Sequence, residues 1–202
     1  MAKIIYFHGN RKKKEIALTF DDGPCKETIE ILDILKKQKI KSTFFVLGKK
    51  IKGNEKIIKI MIKEGHEVGN HTFHHNFMIF KNKYIIKNEI VSTDKELAKL
   101  KVKTQLLRPP YFLAGVTFWK IANELKKKII IADTICYEWF YPPREKVIKR
   151  ALKAKNGSII LFHEYFEDVG RNKDVKVLQI IIPALKKRGY KFVKVSDLIK
   201  SE

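Results

Sequence analysis

A chain of 202 residues, 45% hydrophobic and 32% charged, has room for one domain with a substantial core, and that composition excludes an intrinsically disordered chain. No apolar run reaches the length of a membrane span, and Met1–Phe7 runs too soon into charged residues to read as a secretory signal, so neither a transmembrane segment nor a leader is expected. The formal net charge is +21, yet only six of the 43 basic residues are arginine; specific nucleic-acid surfaces lean on arginine, so the excess reads first as a solvated lysine surface and second as a footprint for an anionic cell-wall polymer.

Strand-like and helix-like segments alternate along the chain. Residues 15–20 read as a strand, 28–38 as a helix, and 42–47 as a strand rich in aromatic and branched residues. A helix over 55–64 and a short strand over 66–69 follow. Ile86, Ile90, Leu97 and Leu100 repeat at helical spacing within 84–100. Gln105–Arg108 is a short strand closed by two prolines, Phe118 to Leu125 a helix, and 128–132 a buried strand. Pro143 opens a helix where proline is tolerated. Residues 158–162 form a strand, Leu178, Ile181, Ile182 and Leu185 a helical stripe, and 191–193 a last strand. About seven strands alternating with helices predict an α/β fold with a parallel sheet, open or closed into a barrel, in one domain over 1–202. Cys25 and Cys136 lie far apart with no metal-type spacing and are expected to be free thiols.

The chemically loaded residues fall at the C-terminal ends of these strands, where such folds place their sites. Asp21-Asp22-Gly23-Pro24 ends the first. Adjacent carboxylates repel and need a cation or an arginine when buried, although the same residues also suit a polar turn. His71 and His75 follow the third strand. An i, i+4 pair can face one way across a helical turn and, with one carboxylate, complete a two-His, one-Asp set, although isolated pairs of this spacing are mostly surface histidines. His74 between them reads as a support or surface residue. Arg108 ends the fourth strand and is able to neutralise a carboxylate through two parallel hydrogen bonds. His163 ends Ile159-Ile160-Leu161-Phe162-His163, a position that is structural in most proteins and a general acid in a cleft.

Taken in order, Leu18-Thr19-Phe20-Asp21-Asp22-Gly23-Pro24, His71-Thr72-Phe73-His74-His75, Arg108-Pro109-Pro110-Tyr111 and Leu161-Phe162-His163 resemble the successive motifs of the NodB-homology polysaccharide deacetylases, carbohydrate esterase family 4. The similarity runs from about Lys14 to Ile199, and the stretch from Ile182 to Val193 resembles that family's last helix and strand. The resemblance implies a distorted (β/α) barrel of about seven parallel strands. It implies one divalent metal held by Asp22, His71 and His75, zinc first, with cobalt, nickel, iron or manganese compatible with the same donors. Asp21 would be the general base and His163 the general acid. Arg108 would hold Asp21, and the Tyr111 backbone N–H would meet the oxyanion. Leu161 and Trp139 would line the slot for the acetyl methyl. Where that family has an Asp-Trp pair, this chain has Glu138-Trp139; Glu138 would take over the partnership with His163, with Asp133 as the next choice.

The resemblance further implies hydrolysis of N-acetyl groups on N-acetylglucosamine units of a glycan such as peptidoglycan or chitin, with work at the cell wall or outside the cell if a leader has been trimmed, and in the cytoplasm otherwise. An esterase or amidase of the same fold, acting for example on acetylxylan, is the alternative activity, and a non-catalytic module for anionic polymers is the non-enzymatic one.

Overall fold

The computed structural model describes residues 4–137, 142–164 and 173–200. Its central strand, β2 (Glu15–Gly23), shows how the fold is specified. Its residues alternate between two buried environments. Ile16, Leu18 and Phe20 point to an outer core, and Ala17 belongs to an inner one. On the same period Thr19 and Asp21 fall on the inner side. Both faces are covered, as parallel sheets require.

Around β2 the chain lays down β1 (Ile5–Tyr6), β3 (Thr43–Val46), β4 (Glu67–Asn70), β5 (Leu106–Leu107), β6 (Lys128–Ile130), β7 (Thr134–Ile135), β8 (Ile159–His163) and β9 (Lys191–Phe192). The sheet order is β1-β6-β5-β4-β3-β2-β8-β7, with β9 against the start of β2, and every strand pairing is parallel. Among the described residues no ladder joins β1 to β7. The sheet curls into the expected distorted barrel and stays unsealed there. The N-terminal segment crosses near that seam, through an antiparallel bridge from His8 to Ser158 and a hydrogen bond from the Gly9 N–H to the Gly157 carbonyl at 2.8 Å.

Helices α1 (Glu27–Lys37), α2 (Gly48–Ile51), α3 (Glu55–Lys63), α4 (Lys83–Lys99), α5 (Val116–Glu124), α6 (Arg144–Ala151) and α7 (Lys173–Lys187) connect the strands. Ile31, Ile58 and Leu178, from α1, α3 and α7, pack with Phe20 and Phe44 in the outer core. Ile86 and Phe118, from α4 and α5, form a second outer cluster with Ile129. A final helix, α8 (Val195–Lys200), places Val195, Leu198 and Ile199 in the inner core beside Ala17. It closes the end of the barrel where β2 begins and leaves the other end open.

The seven expected strands are all present. The added β1 and β7 are two residues each. Cys25 and Cys136 are free thiols. No helix among the described residues is long and apolar enough to cross a membrane.

Candidate active site

Parallel pairing of β2 with β8 sets Asp21 beside His163, and pairing with β3 sets it beside Phe45. The open end of the barrel holds a cavity of about 450 Å³ lined by Asp21, Asp22, His71, His75, Tyr111 and His163 among others, with Leu161 and Ile135 on its apolar side. The carboxylates, histidines and Tyr111 that were picked out in separate segments of the chain therefore meet in one place.

Arg108 anchors the floor. It is fully buried, with its guanidinium carbon 4.0 Å from the Phe45 ring centroid. Its Nε donates to the Ile130 carbonyl at 3.2 Å. Its Nη1 donates to Thr19 Oγ1 at 2.9 Å and to Asp21 Oδ1 at 2.6 Å. The Asp21 contact uses Nη1 alone, a single hydrogen bond where the sequence suggested a bidentate one. The Arg108 carbonyl in turn accepts from His71 Nδ1 at 2.8 Å. A carbonyl only accepts, so Nδ1 carries the proton and His71 Nε2 is left with its lone pair toward the carboxylates.

Asp22 sits at the bulge that ends β2, with φ 70°. Its Oδ1 lies 3.4 Å from His71 Nε2 and 3.3 Å from His75 Nε2, and it is buried without a hydrogen-bond partner. One donor atom from each of Asp22, His71 and His75 falls within 4.8 Å of the other two. Burial pushes the Asp22 carboxyl upward, but the close approach of the His71 ring, with His163 and His75 behind it, holds it well below the usual carboxylate range. Burial lowers His75 to about 4, so its ring is neutral and able to donate its lone pair near pH 7. The Asp22 carboxylate, with its orphaned buried oxygen set between the Nε2 atoms of two imidazoles, fits a divalent cation.

His71 and His75 do not share a helical turn. Residues 71–78 are irregular, and Thr72 and His75 both have φ 66°. Two features impose this backbone. Asn70 Oδ1 accepts the Thr72 N–H at 2.8 Å, a local Asx turn. Glu89, buried on α4, accepts the Phe73 and His74 N–H groups on Oε2 at 2.9 and 2.8 Å and His74 Nδ1 on Oε1 at 2.6 Å. His74 is therefore a supporting residue, half exposed and bonded away from the cavity. Sequence reading missed Glu89. Its signal was a carboxylate on the apolar stripe of α4, between Ile86 and Ile90.

Tyr111 also carries a left-handed backbone, φ 58°, in the 3-10 turn Pro110–Phe112. Its ring is half exposed, 4.6 Å from the His75 ring and stacked on Phe77 at 4.2 Å. Leu161 lines the cavity as expected. Glu138 and Trp139 lie outside the described residues. Asp133 is not the partner of His163: its carboxylate accepts from Arg11 at 2.5 Å, Ser158 Oγ at 3.1 Å and the Ile159 N–H at 3.0 Å. A second unforeseen residue, Glu164, is buried beneath the Asp21–Asp22 bulge, where its N–H donates to the Asp21 carbonyl at 2.9 Å and Thr28 Oγ1 donates to its carboxyl. Burial, with the charges of Asp22 and Asp21 added, raises it to about 8 against the hydrogen bond from Thr28, so it is mostly protonated at neutral pH. A Cβ on Gly23 would run into that carboxyl, which is why the turn needs glycine there.

Comparison with known proteins places these features in a family context. The family model "Polysaccharide deacetylase" matches residues 8–130. A peptidoglycan-N-acetylglucosamine deacetylase of Bacillus cereus is 35% identical over 197 residues, covering 93% of this chain and 89% of the relative. The peptidoglycan-N-acetylmuramic acid deacetylase PdaA of Bacillus subtilis is 33% identical over 202 residues, covering 96% of this chain and 74% of the relative. Among solved structures, the Bc1960 peptidoglycan N-acetylglucosamine deacetylase superposes with a TM-score of 0.92 at 32% identity, covering 99% of this chain and 94% of that one.

Proposed function

The chain belongs to the polysaccharide deacetylase family, and on that premise we propose that it removes the N-acetyl group from N-acetylglucosamine units of peptidoglycan, releasing acetate and leaving a free amine on the sugar. The observation that carries this reading is the convergence of Asp21, Asp22, His71, His75 and His163 on one cavity at the open end of the barrel. The activity named for the Bacillus cereus and Bc1960 relatives suggests the sugar.

Asp22, His71 and His75 are the residues that would hold a divalent ion, zinc first. Bound there, such an ion supplies Lewis acidity, acidifying a water molecule and polarising the amide carbonyl. The protein's own groups carry the protons. Arg108 occupies Oδ1 of Asp21 and leaves Oδ2 on the cavity side, 3.6 Å from His71 Nε2. Asp21 Oδ2 takes a proton from the attacking water as oxygen adds to the carbonyl carbon. The developing oxyanion is met by the backbone N–H of Tyr111, a residue of the cavity wall. When the C–N bond breaks, His163 hands its proton to the departing nitrogen, so that a neutral amine and acetic acid result, and the acid then ionises to acetate. Leu161, on the apolar side of the cavity, packs against the acetyl methyl.

Acetate release from N-acetylglucosamine oligomers, peptidoglycan and acetylxylan, with and without added divalent ions, tests the reading. Metal-stimulated release from the first two is expected. Release from acetylxylan alone, or none from any substrate, would refute it.

A further inference from the structure

Beside the catalytic cavity lies a second groove, of about 410 Å³, to which deacetylation assigns no role. The two share Ile135 and Tyr137 as wall residues, so they lie side by side. From that rim the groove follows the unsealed seam of the barrel to Ser158, just before β8. Ser158 and His163 are five residues apart along an extended chain, which sets the far end about 16 Å from the catalytic rim.

The groove is strongly cationic. Arg11, Arg150, Lys153 and Lys155 line it against one carboxylate, Asp133. Asp133 is already committed to Arg11, Ser158 and the Ile159 N–H. Arg150, Lys153 and Lys155 have no carboxylate partner among the described residues. Arg150 is held in place near the rim: its Nη1 donates to the Cys136 carbonyl at 3.1 Å, and its guanidinium carbon lies 5.2 Å from the Tyr137 ring centroid. Lysines on a convex surface are simply solvated. Cations of one sign inside a concavity, one of them fixed, concentrate an anionic group and orient it.

We propose that this groove binds a carboxylate-bearing peptide substituent of the glycan, so that the protein selects peptide-bearing polymer over the bare sugar chain. The proposal rests on the deacetylase reading, which puts the sugar in the adjoining cavity. An extended peptide advances 3.3–3.6 Å per residue, so about 16 Å accommodates roughly four or five residues. The guanidinium of Arg150 meets the carboxylate nearest the sugar, and Lys153 and Lys155 meet those farther out.

Two probes isolate the charge: a disaccharide carrying a tetrapeptide with free carboxylates, and the same molecule with those groups converted to carboxamides. KM for acetate release is measured with wild type, Lys153→Ala/Lys155→Ala and Arg150→Gln, at low and high salt. Binding is measured calorimetrically in an Asp21→Asn background carrying the same substitutions. Wild type is expected to favour the carboxylate probe about tenfold in both KM and affinity, less at high salt, and each variant to bring the two probes closer together. Equal handling of the probes by wild type overturns the proposal, and so does a preference that persists undiminished in both variants. If neither probe releases acetate, the deacetylase reading falls, and the calorimetric comparison still decides the groove on the same criteria.

Discussion

Replacing Glu89 with alanine removes one acceptor from four donors at once: the Phe73 and His74 N–H groups, His74 Nδ1, and Asn76 Nδ2 at 3.4 Å. A hydrogen bond to a charged group contributes about 1.5–3 kcal/mol. The four bonds share one carboxylate and are not additive, and two discounts apply. His74 is exposed enough to regain water, and removing a buried charge relieves its own desolvation. A net loss of about 2–4 kcal/mol is expected, concentrated in the loop that carries His71 and His75. If that loop must be reordered before it binds a cation, zinc affinity falls about 30- to 1000-fold. Glu89→Gln keeps an oxygen for the two backbone N–H groups and is expected to recover at least half of the loss. The assay pairs urea unfolding of metal-free protein with calorimetric zinc titration of all three proteins. Zinc affinity in Glu89→Ala within threefold of wild type, together with unchanged unfolding, would refute the reasoning that this carboxylate organises the cluster.

The ligand assignment predicts that Asp22→Ala, His71→Ala and His75→Ala each lose bound metal and activity together, read by elemental analysis beside acetate release; stoichiometric metal in all three would contradict it. Asp21→Asn should retain metal and lose about a hundredfold to ten-thousandfold in turnover, whereas near-normal turnover would make Asp21 a structural turn residue. His66 gives a pH prediction away from the site. Burial, aided by Lys41 and opposed by Glu64, lowers it from 6.5 to about 4. Between those values the unfolded chain binds the extra proton, so the stabilisation is present above pH 6.5 and is lost as pH falls toward 4, on the order of 3 kcal/mol at most. Unfolding free energies at pH 7 and pH 4.5 should therefore differ more in wild type than in His66→Gln, whose amide can still accept the Ser42 N–H.

The parts of the fold that were legible in the sequence are those where a period or a motif is long enough to register. β2 and β8 stand out as apolar runs ending in carboxylates and a histidine, and the stripe of α4 is unbroken but for Glu89 and Thr93. β1 and β7 have two residues each, and α2 has four; elements this short are defined by their neighbours. The His71–His75 segment misled for a related reason. Its spacing suits a helix, but Asn70 before it and Glu89 behind it dictate a loop with two left-handed residues. Glu164 gave no signal because its burial depends on Thr28 and Gly23, more than 130 residues away in the chain.

Arg108 bears on how this scaffold could lose its chemistry over time. Asp22 and His163 stand at the rim, where a substitution removes a chemical group and leaves the apolar core packing untouched. Arg108 instead ties β2 to β6 beneath the cavity and fixes the ring of His71 through its carbonyl. Its loss would leave the buried Asp21 without its counter-charge and open a void beside Phe45. Descendants of this chain that abandon hydrolysis and persist as folded proteins should therefore shed the rim groups first and keep the arginine, long after any substrate has stopped selecting for it.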